Sequence, residues 1–500
     1  MKTTFLKAAA PLLVAAFILS GCAPAAEPEE PAVEASGTLR ASWGGFPENW
    51  SPGQDMESGY LRVPYEMLVG TNADGELEGV LATEWEQTDE AVTFTLREGV
   101  VFHDGTPLNA EAIAVNVDTW KASPLGGSLQ VIESVDVIDD LTVQLNLSEP
   151  TPTIVRSLAT RVAAVGSPVA IEDGSIAQAP VGTGPWAYDA EASVAGVRMA
   201  FPLFEDYWGE TPGFANIELL GIEDDEAAAA ALVSGEVDLI DGELRTSGRF
   251  EGQPVELLFY PAIRNNVTFF DRGPGGVFES VELRQAFCHV MDPNVVVQVD
   301  GEGQAGTQHF FEGEQGYNPE IGYEIDLARA QELYAAAGSP SINVDMVAAP
   351  FNAGQIQIYM DQASEIGDIN VNVNTLPPPE FFQEWNSGRY PLGLAGNDEQ
   401  TPFEWYRAYF AADAPANPAG VESPELKAAA DAAIAAGLSE EADALWAEVT
   451  LIISQEALTC AHLRGEEILA FNTETVSNVG PPLQPWETNS VNYRALVPAS

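Results

Sequence analysis

The chain has 500 residues, more than one hydrophobic core usually serves, so two or three domains are expected. Lys and Arg total 20 against 76 Asp and Glu, and the net charge of -56 makes nucleic acid and anionic membrane surfaces poor partners, because phosphate binding needs basic residues. The acidic residues are spread along the chain, which indicates a hydrated, self-repelling surface suited to salty surroundings, with attraction of cationic solutes as the weaker alternative.

The N-terminal residues have the composition of a leader followed by a tether. Lys2 and Lys7 precede an apolar run from Ala8 to Leu19, which is too short to span a membrane, and Cys22 follows it closely. This order resembles that of bacterial lipoprotein signal peptides, which implies a leader over residues 1–21 and a lipid on Cys22. An ordinary secretory signal with an incidental cysteine is the alternative. Residues 22–37 are rich in Ala, Pro and Glu, which predicts a flexible tether.

Residues 80–111 carry the most specific pattern in the chain. Val92, Phe94 and Leu96 alternate with polar residues, and this period of two predicts a half-buried strand. The sequence VFHDGTP follows, and its Asp-Gly pair favours a tight turn. Asn109 comes next and predicts the N-cap of a helix.

Several later segments have patterns that are equally easy to place. Residues 178–186 read QAPVGTGPW, and their prolines and glycines predict a sharp backbone path between domains. Helices are predicted over 224–233, over 281–292 and over 326–337, where Gly338 ends the helix.

Together these segments closely resemble the large extracytoplasmic solute-binding proteins of peptide and nickel ABC importers, solute-binding protein family 5. The similarity is carried by residues 80–111, by VGTGPW at 181–186, by DYWG at 206–209 and by the run 281–292. It implies an α/β, two-lobed periplasmic-binding-protein-like fold (type II, cluster C-like) with an extra domain inserted in the first lobe.

The resemblance also implies where the domains begin and end. Domain I would be assembled from residues 38–57, 183–258 and 473–500. Domain II would be the insertion 58–182, and domain III, the second lobe, would be 259–472. The solute would lie between domains I and III, and contacts to both lobes would favour the closed state.

Two cysteines, Cys288 and Cys460, remain after Cys22, and both fall in domain III. An oxidising extracytoplasmic compartment permits a disulfide between them. Two buried free thiols are the alternative, because a sequence cannot supply the distance between the two Cα atoms.

Catalytic patterns are largely missing from the sequence, and a nickel site built from scattered histidines is the minor alternative to no metal site. Its four histidines stand in no zinc-protease pattern, and no Cys-x-x-Cys, P-loop or Gly-x-Ser-x-Gly motif occurs. Residues 301–306 fit Gly-x-Gly-x-x-Gly by letter, but they do not lie between a clear strand and a helix, so a flexible loop is expected there. The sequence predicts a binding protein with no cofactor and no metal, and not an enzyme.

Asp398 is the most specific candidate for contact with a solute. The resemblance places it where peptide-binding members use an aspartate to hold the α-amino group of the peptide. An ammonium group that leaves water for a closed cleft must be paired with such a carboxylate. The neighbours depart from the family pattern, because Leu394 and Ala395 replace glycine and tryptophan and Glu399 replaces tyrosine. A surface-loop acid is the alternative.

Five other residues complete the predicted site. Asn265 and Gly396 are expected to offer amide groups to a peptide-like backbone, as in strand addition, and Asn397 stands beside Gly396. Trp405 and Trp43 are expected to flank the solute, with core packing as the alternative for each.

The predicted function is that of a lipid-anchored substrate-binding protein of an ABC importer, held in the periplasmic space or at the outer face of the cytoplasmic membrane. It would capture a small solute, first of all an oligopeptide or dipeptide, and deliver it to a membrane permease served by separate ATPase subunits. Alternatives are a nickel chelate, sugar or opine as the solute, a secreted hydrolase on a shared fold, and a lipoprotein scaffold that binds no ligand.

Overall fold

The structure is a computed structural model of the chain. It describes residues 34–54, 58–72, 76–123, 126–242, 244–300, 303–349, 352–397, 401–480 and 491–499. The predicted leader, Cys22 and most of the predicted tether lie outside the described residues, and the first strand begins at Ser36.

The strands follow one another along the chain in this order: β1 (Ser36–Ser42), β2 (Val69–Thr71), β3 (Leu77–Gly79), β4 (Ala82–Gln87), β5 (Ala91–Leu96), β6 (Ile132–Asp139), β7 (Thr142–Leu147), β8 (Asp189–Val194), β9 (Arg198–Pro202), β10 (Phe214–Leu220), β11 (Leu239–Gly242), β12 (Val255–Phe270), β13 (Gln304–Gly306), β14 (Ile342–Ala348), β15 (Ile369–Thr375), β16 (Leu392–Asn397), β17 (Thr459–Asn472), β18 (Val476–Asn478) and β19 (Val497–Pro498).

The α-helices alternate with them: α1 (Ser58–Leu61), α2 (Ala110–Ala122), α3 (Ile154–Ser157), α4 (Pro168–Glu172), α5 (Asp225–Ser234), α6 (Val281–Cys288), α7 (Pro293–Asp300), α8 (Leu327–Ala336), α9 (Ala353–Ser364), α10 (Pro378–Asn386), α11 (Pro402–Tyr409), α12 (Pro424–Ala436) and α13 (Glu440–Gln455).

One large sheet runs through both lobes, in the strand order β15-β14-β16-β12-β17-β11-β1-β10-β9-β8. Strands β12 and β17, which we call the crossing strands, have 16 and 14 residues and pair antiparallel with each other. The sequence predicts only the end of β12, Val267 to Phe270, as a strand. The remainder is held in strand form because β17 pairs with it from Val255 onward, which is a long-range contact.

The first lobe is built on the parallel neighbours of β1. Strand β10 pairs with β1 on one side and β11 pairs with it on the other. Alternate residues of these strands enter separate cores on the two faces of the sheet, with Leu239 on one face and Ile240 on the other.

The second lobe repeats the arrangement around β14, which pairs parallel with both β15 and β16. Its two faces are also both covered. Met346 and Ala348 pack with the helices on one face, whereas Val347 packs among the aromatic residues on the other.

The inserted domain contains the four-stranded antiparallel sheet β4-β5-β7-β6 and helix α2. The predicted strand is confirmed, because Val92, Phe94 and Leu96 are buried in the core of this domain. The predicted N-cap is also confirmed, since Asn109 Oδ1 accepts a hydrogen bond from the Ala112 N–H at 2.9 Å. The exact domain boundaries stay a prediction.

Residues 303–306 do not form the flexible loop that the sequence suggested. Gln304–Gly306 is strand β13, which pairs antiparallel with residues 462–464 of β17. The expectation was wrong there because the strand is made by a partner about 160 residues away, which no local pattern reveals. No helix among the described residues is both long enough and apolar enough to cross a membrane.

Candidate ligand-binding site

The parallel strands of both lobes point their carboxyl ends at the middle of the crossing strands. In the first lobe, β11 ends at Gly242, opposite Ile468 of β17. In the second lobe, β16 ends at Asn397, opposite Asn265 of β12. Ligands of open α/β sheets bind outside the carboxyl ends of parallel strands. The two lobes therefore present their binding edges toward one shared region.

Three of the predicted ligand residues meet in that region. The backbones of Asn265 and Asn397 are paired, and Gly396 lies opposite Asn266 in the next register position. Asp398, which follows Asn397 in the chain, lies outside the described residues. Its proposed contact with an amino group stays a prediction.

Among the described strand pairings, the backbone at the end of β16 has a partner on one side only, and we call the other side the open edge. Strand β14 pairs with β16 only as far as Ala348, which lies opposite Leu394. In the described strand pairings, residues 395–397 therefore have no strand partner on the β14 side. Such an edge can pair with the backbone of an extended ligand.

A cluster of amide side chains lies next to Gly396. The side-chain amides of Asn266 and Asn352 each donate to Gln355 Oε1 at 3.2 Å. The remaining amide oxygens, Asn266 Oδ1 and Asn352 Oδ1, are buried and have no hydrogen-bond partner among the described residues. Because a buried acceptor without a donor is unfavourable, these oxygens suit a ligand that brings N–H groups.

Trp405 is in the core of the second lobe. Its indole is 3% exposed and stacks on the His309 ring, with centroids 4.4 Å apart and planes 17° apart. The ring of Phe410 meets it edge-on at 4.7 Å. These contacts correspond to the core-packing alternative and not to an indole that lies open to a solute.

Trp43 is similarly enclosed, in the core of the first lobe. It is 5% exposed, and its indole N–H donates to the hydroxyl of Tyr493. Gly59 lies against the indole ring so closely that a Cβ at this position would be 2.9 Å from Cγ of the indole. Its packing is again that of a core residue.

An ion pair between a buried arginine on β17 and a partly exposed glutamate was not predicted from the sequence. Both terminal nitrogens of Arg464 bond the carboxylate of Glu314 at 2.8 Å. The guanidinium carbon of Arg464 lies 3.8 Å from the ring centroid of Phe311. Since Arg464 is opposite Asn265 in the register, this bidentate pair supports the crossing strands beside the candidate site.

A second arginine, Arg156 of the inserted domain, interacts with acidic residues of the second lobe. Burial lowers the pKa of Arg156, on helix α3, and the negative charges of Glu404 and Glu314 in the second lobe oppose that shift. Next to it, Ser157 Oγ donates to Glu404 Oε1 at 3.3 Å, a long hydrogen bond. Side chains of the inserted domain thus reach the second lobe.

Histidines do not form a metal site in the described part of the chain. No three His, Cys, Asp or Glu side chains come together there as ligands. Burial, together with the nearby charge of His309, lowers the pKa of His462 to about 3, so His462 is neutral at physiological pH.

Cys288 and Cys460 are joined in a disulfide, with Cα atoms 5.4 Å apart. The bond ties the end of α6 to the start of β17. Of the two options that the sequence left open, the structure contains the pair.

The site residues that the sequence did not predict differ in whether a sequence pattern could have identified them. Arg464 lies within a strand and has no motif around it, so only its pairing with Glu314 reveals it. Asn352 could have been found, because it follows strand β14 and precedes helix α9. Residues at that position of a parallel sheet face the ligand crevice.

Comparison with known proteins gives a consistent family. The sequence profile of "Bacterial extracellular solute-binding proteins, family 5 Middle" matches residues 76–416. Over 303 residues the chain is 29% identical to the glutathione-binding protein GsiB of Escherichia coli K12. The aligned region covers 55% of this chain and 56% of GsiB. The match thus spans about half the length of this curated relative.

Two solved structures illustrate the shared fold. Helicobacter pylori DppA, in complex with the peptide STSA, has a TM-score of 0.74 at 20% identity and covers 92% of this chain and 98% of its own. Staphylococcus aureus NikA, in complex with Ni(L-His)2, has a TM-score of 0.73 at 17% identity and covers 92% and 99%. These likenesses show the two-lobed fold, and the different ligands of the two proteins show that the fold by itself does not select one.

Proposed function

Because the chain belongs to family 5 of the bacterial extracellular solute-binding proteins, we propose that it captures a small peptide between its lobes and delivers it to an ABC importer. The permease and ATPase subunits of that importer would be its partners. A lipid on Cys22 would hold it at the outer face of the cytoplasmic membrane or in the periplasmic space.

The proposal is carried by one observation, the convergence of the carboxyl ends of β11 and β16 on the crossing strands. A solute that bridges these two edges would contact both lobes at once. Contacts to both lobes exist only in the closed state, so the solute would shift the protein toward closure by its differential affinity.

A peptide suits the chemistry of this region better than a solute without N–H groups. Its backbone could pair with the open edge of residues 395–397. Its N–H groups could satisfy the buried oxygens of Asn266 and Asn352, which are otherwise unpaired among the described residues. Asp398 would hold the α-amino group. The relatives support the peptide class, since GsiB is named for binding glutathione and DppA holds a tetrapeptide.

A test begins with native mass spectrometry of freshly purified protein, to find any small molecule that co-purifies. Thermal unfolding with glutathione, dipeptides, tetrapeptides and the nickel–histidine complex then ranks the solute classes. A true ligand at ~100-fold excess over its dissociation constant stabilises the folded state by about 2.7 kcal/mol. We expect a peptide to give the largest shift.

Each alternative makes a different prediction in the same experiment. A binder of a nickel chelate responds only to the nickel complex, and a scaffold without a ligand responds to nothing. A hydrolase shows turnover of peptides or esters that one point mutation abolishes. Stabilisation by the nickel complex alone would replace peptide as the solute and leave the binding function in place.

A further inference from the structure

Between described residues, two hydrogen bonds that join the inserted domain to the second lobe involve helix α11. Ser157 Oγ on α3 donates to Glu404 Oε1 at 3.3 Å. Arg407 Nη2 donates to Glu149 Oε1 at 3.2 Å. Glu404 and Arg407 are three residues apart on α11, so they lie on one face of that helix. The two contacts therefore act between the same pair of surfaces.

The hydrophobic cores on either side of these contacts are separate. Ile154 and Val155 of α3 are buried in the core of the inserted domain, whereas Phe403 and Tyr406 of α11 are buried in that of the second lobe. The two hydrogen bonds described above therefore form a polar contact between the inserted domain and the second lobe, as is typical of domain surfaces that come together and part.

Helix α11 follows the candidate site closely in the sequence, since β16 ends at Asn397 and α11 begins at Pro402. It begins after the segment that contains residues 395–400, and its N-cap Thr401 accepts a hydrogen bond from the Glu404 N–H at 3.2 Å. The polypeptide that leads from the open edge of β16 thus continues into the helix that carries both contacts.

Arg407 is arranged so that opening does not leave its charge without a partner. It also bonds Asp413 within its own lobe, at 3.0 Å, and the side chains of Glu149 and Asp413 are 51% and 71% exposed. If the inserted domain moved away, Glu149 would be hydrated and Arg407 would keep Asp413. The pair can therefore form and break without an unpaired buried charge.

We propose that the inserted domain takes part in closure: Glu149 and Ser157 are positioning residues that hold it against Arg407 and Glu404 when the lobes close over the solute. This inference rests on the proposed solute capture and adds the inserted domain to it as a third element. The contacts act on how long the solute stays bound, because the solute can leave only after they part.

The first experiment tests the contact itself and needs no solute. Cysteines are placed in the full chain by Glu149→Cys and Arg407→Cys, a short bismaleimide is added, and the linked peptides are identified by mass spectrometry. We expect a cross-link between the two positions, and faster cross-linking when tri-alanine is added. The pair Glu133→Cys and Arg407→Cys, in which the first cysteine stands on an exposed part of β6, is the control for non-specific linking. The proposal is overturned if the 149–407 link is absent or no faster than the control.

The second experiment measures the dissociation rate of tri-alanine from two matched variants. Glu149→Gln removes the partner of Arg407 across the gap, and Asp413→Asn removes its partner within the lobe. We expect Glu149→Gln alone to speed dissociation by about two- to five-fold at low salt, as for an exposed ion pair. In 1 M NaCl, where charges are screened within a few ångströms, the difference should disappear.

The outcomes separate this inference from the proposed function. Equal dissociation rates in the two variants would overturn the role of Glu149 while peptide capture stood. If tri-alanine and the other peptides do not bind, peptide capture fails, and the cross-linking experiment still decides whether the inserted domain meets the second lobe.

Discussion

The imidazole of His103 and the backbone of Gly184 are directly hydrogen-bonded, with Nε2 2.8 Å from the carbonyl oxygen. The Gly182 N–H donates to Nδ1 at 3.3 Å, so the ring is neutral and carries its proton on Nε2. Burial lowers the pKa of His103 to about 4, although Gly184 and Asp104 oppose that shift. The histidine thus fastens the VFHDGTP segment to the VGTGP segment in the structure.

His103→Gln is expected to lower stability at pH 7, because the buried ring loses its paired contacts. The pKa of His103 is about 4 in the folded protein and near 6.5 in the unfolded chain. Between these values the unfolded chain binds more protons, so the stabilising contribution of His103 is full above pH 6.5 and is lost as the pH falls toward 4.

The measurement is urea unfolding of both proteins from pH 7.5 to pH 4. Comparing the two proteins at each pH removes the contributions of the many carboxylates that they share. The gap in free energy of unfolding should narrow, by on the order of 3 kcal/mol, as the pH falls. A gap that stays constant with pH would show that His103 is not neutral and buried as described.

Two residues of the DYWG segment, Tyr207 and Trp208, have a structural role because they donate hydrogen bonds to Glu66. Its buried carboxylate accepts hydrogen bonds from Thr183, Tyr207, Trp208 and Arg494 at 2.8–3.1 Å. Burial raises the pKa of Glu66, while Arg494 and the neutral donors oppose that shift. The group joins α1 and its following turn to the DYWG segment and to the C-terminal residues.

Glu66→Ala is expected to destabilise the protein by roughly 3–5 kcal/mol, because Arg494 and three neutral donors lose their shared acceptor. Chemical unfolding followed by circular dichroism measures the loss. Glu78→Ala is the matched control, since Glu78 lines the same small cavity as Glu66 but is exposed. This substitution should change stability little. Similar losses in both variants would contradict a special role for Glu66.

The Cys288–Cys460 disulfide closes a long loop, with the two cysteines 172 residues apart in the chain. Removing it with Cys288→Ala and Cys460→Ala should lower stability by about 2–4 kcal/mol. The same loss should follow when a reductant is added to the natural chain during urea unfolding. The double variant should not respond to the reductant, and an unaffected natural chain would mean that the bond does not form.

Asp398→Ala is expected to weaken binding of a peptide with a free amino terminus by roughly 10- to 100-fold, the effect of losing a hydrogen bond between charged groups. Folding should not change. Calorimetry with a peptide and its N-acetylated form makes the test specific, because the acetylated peptide has no ammonium group. If Asp398 holds that group, the variant should bind the acetylated peptide as well as the natural protein does.

Equal weakening of both peptides would place Asp398 elsewhere in the cleft. No weakening of either would remove it from the site and favour the surface-loop alternative. Neither result would change the family or the two-lobed fold.

Local features of the fold were predictable from the sequence because their causes lie within a few residues. Asn109 was identified as an N-cap, and the structure shows its hydrogen bond to the Ala112 N–H. The alternation of Val92, Phe94 and Leu96 marked a strand with one face in a core. Gly338 has φ +89°, a conformation that glycine adopts easily, and it follows helix α8 as predicted.

The family resemblance extended this reading to function, but it could not place each side chain. Trp43 and Trp405 were expected at the cleft, and both are packed in cores. An aromatic residue has the same sequence signature in either setting, because both require a large apolar surface. Which neighbours cover it depends on segments that are distant in the chain.

The family resemblance of the sequence implied the two-lobed class and the inserted domain, and local patterns predicted the start of α2 and the positions of α5 and α8, since caps, turns and apolar periods act over short distances. Only the tertiary structure decided that β12 and β17 cross together, that Arg464 meets Glu314, and that Glu149 reaches Arg407. Each of these contacts joins segments well over a hundred residues apart. They form because chain folding brings distant charges and strand edges together, and no spacing within one segment encodes that meeting.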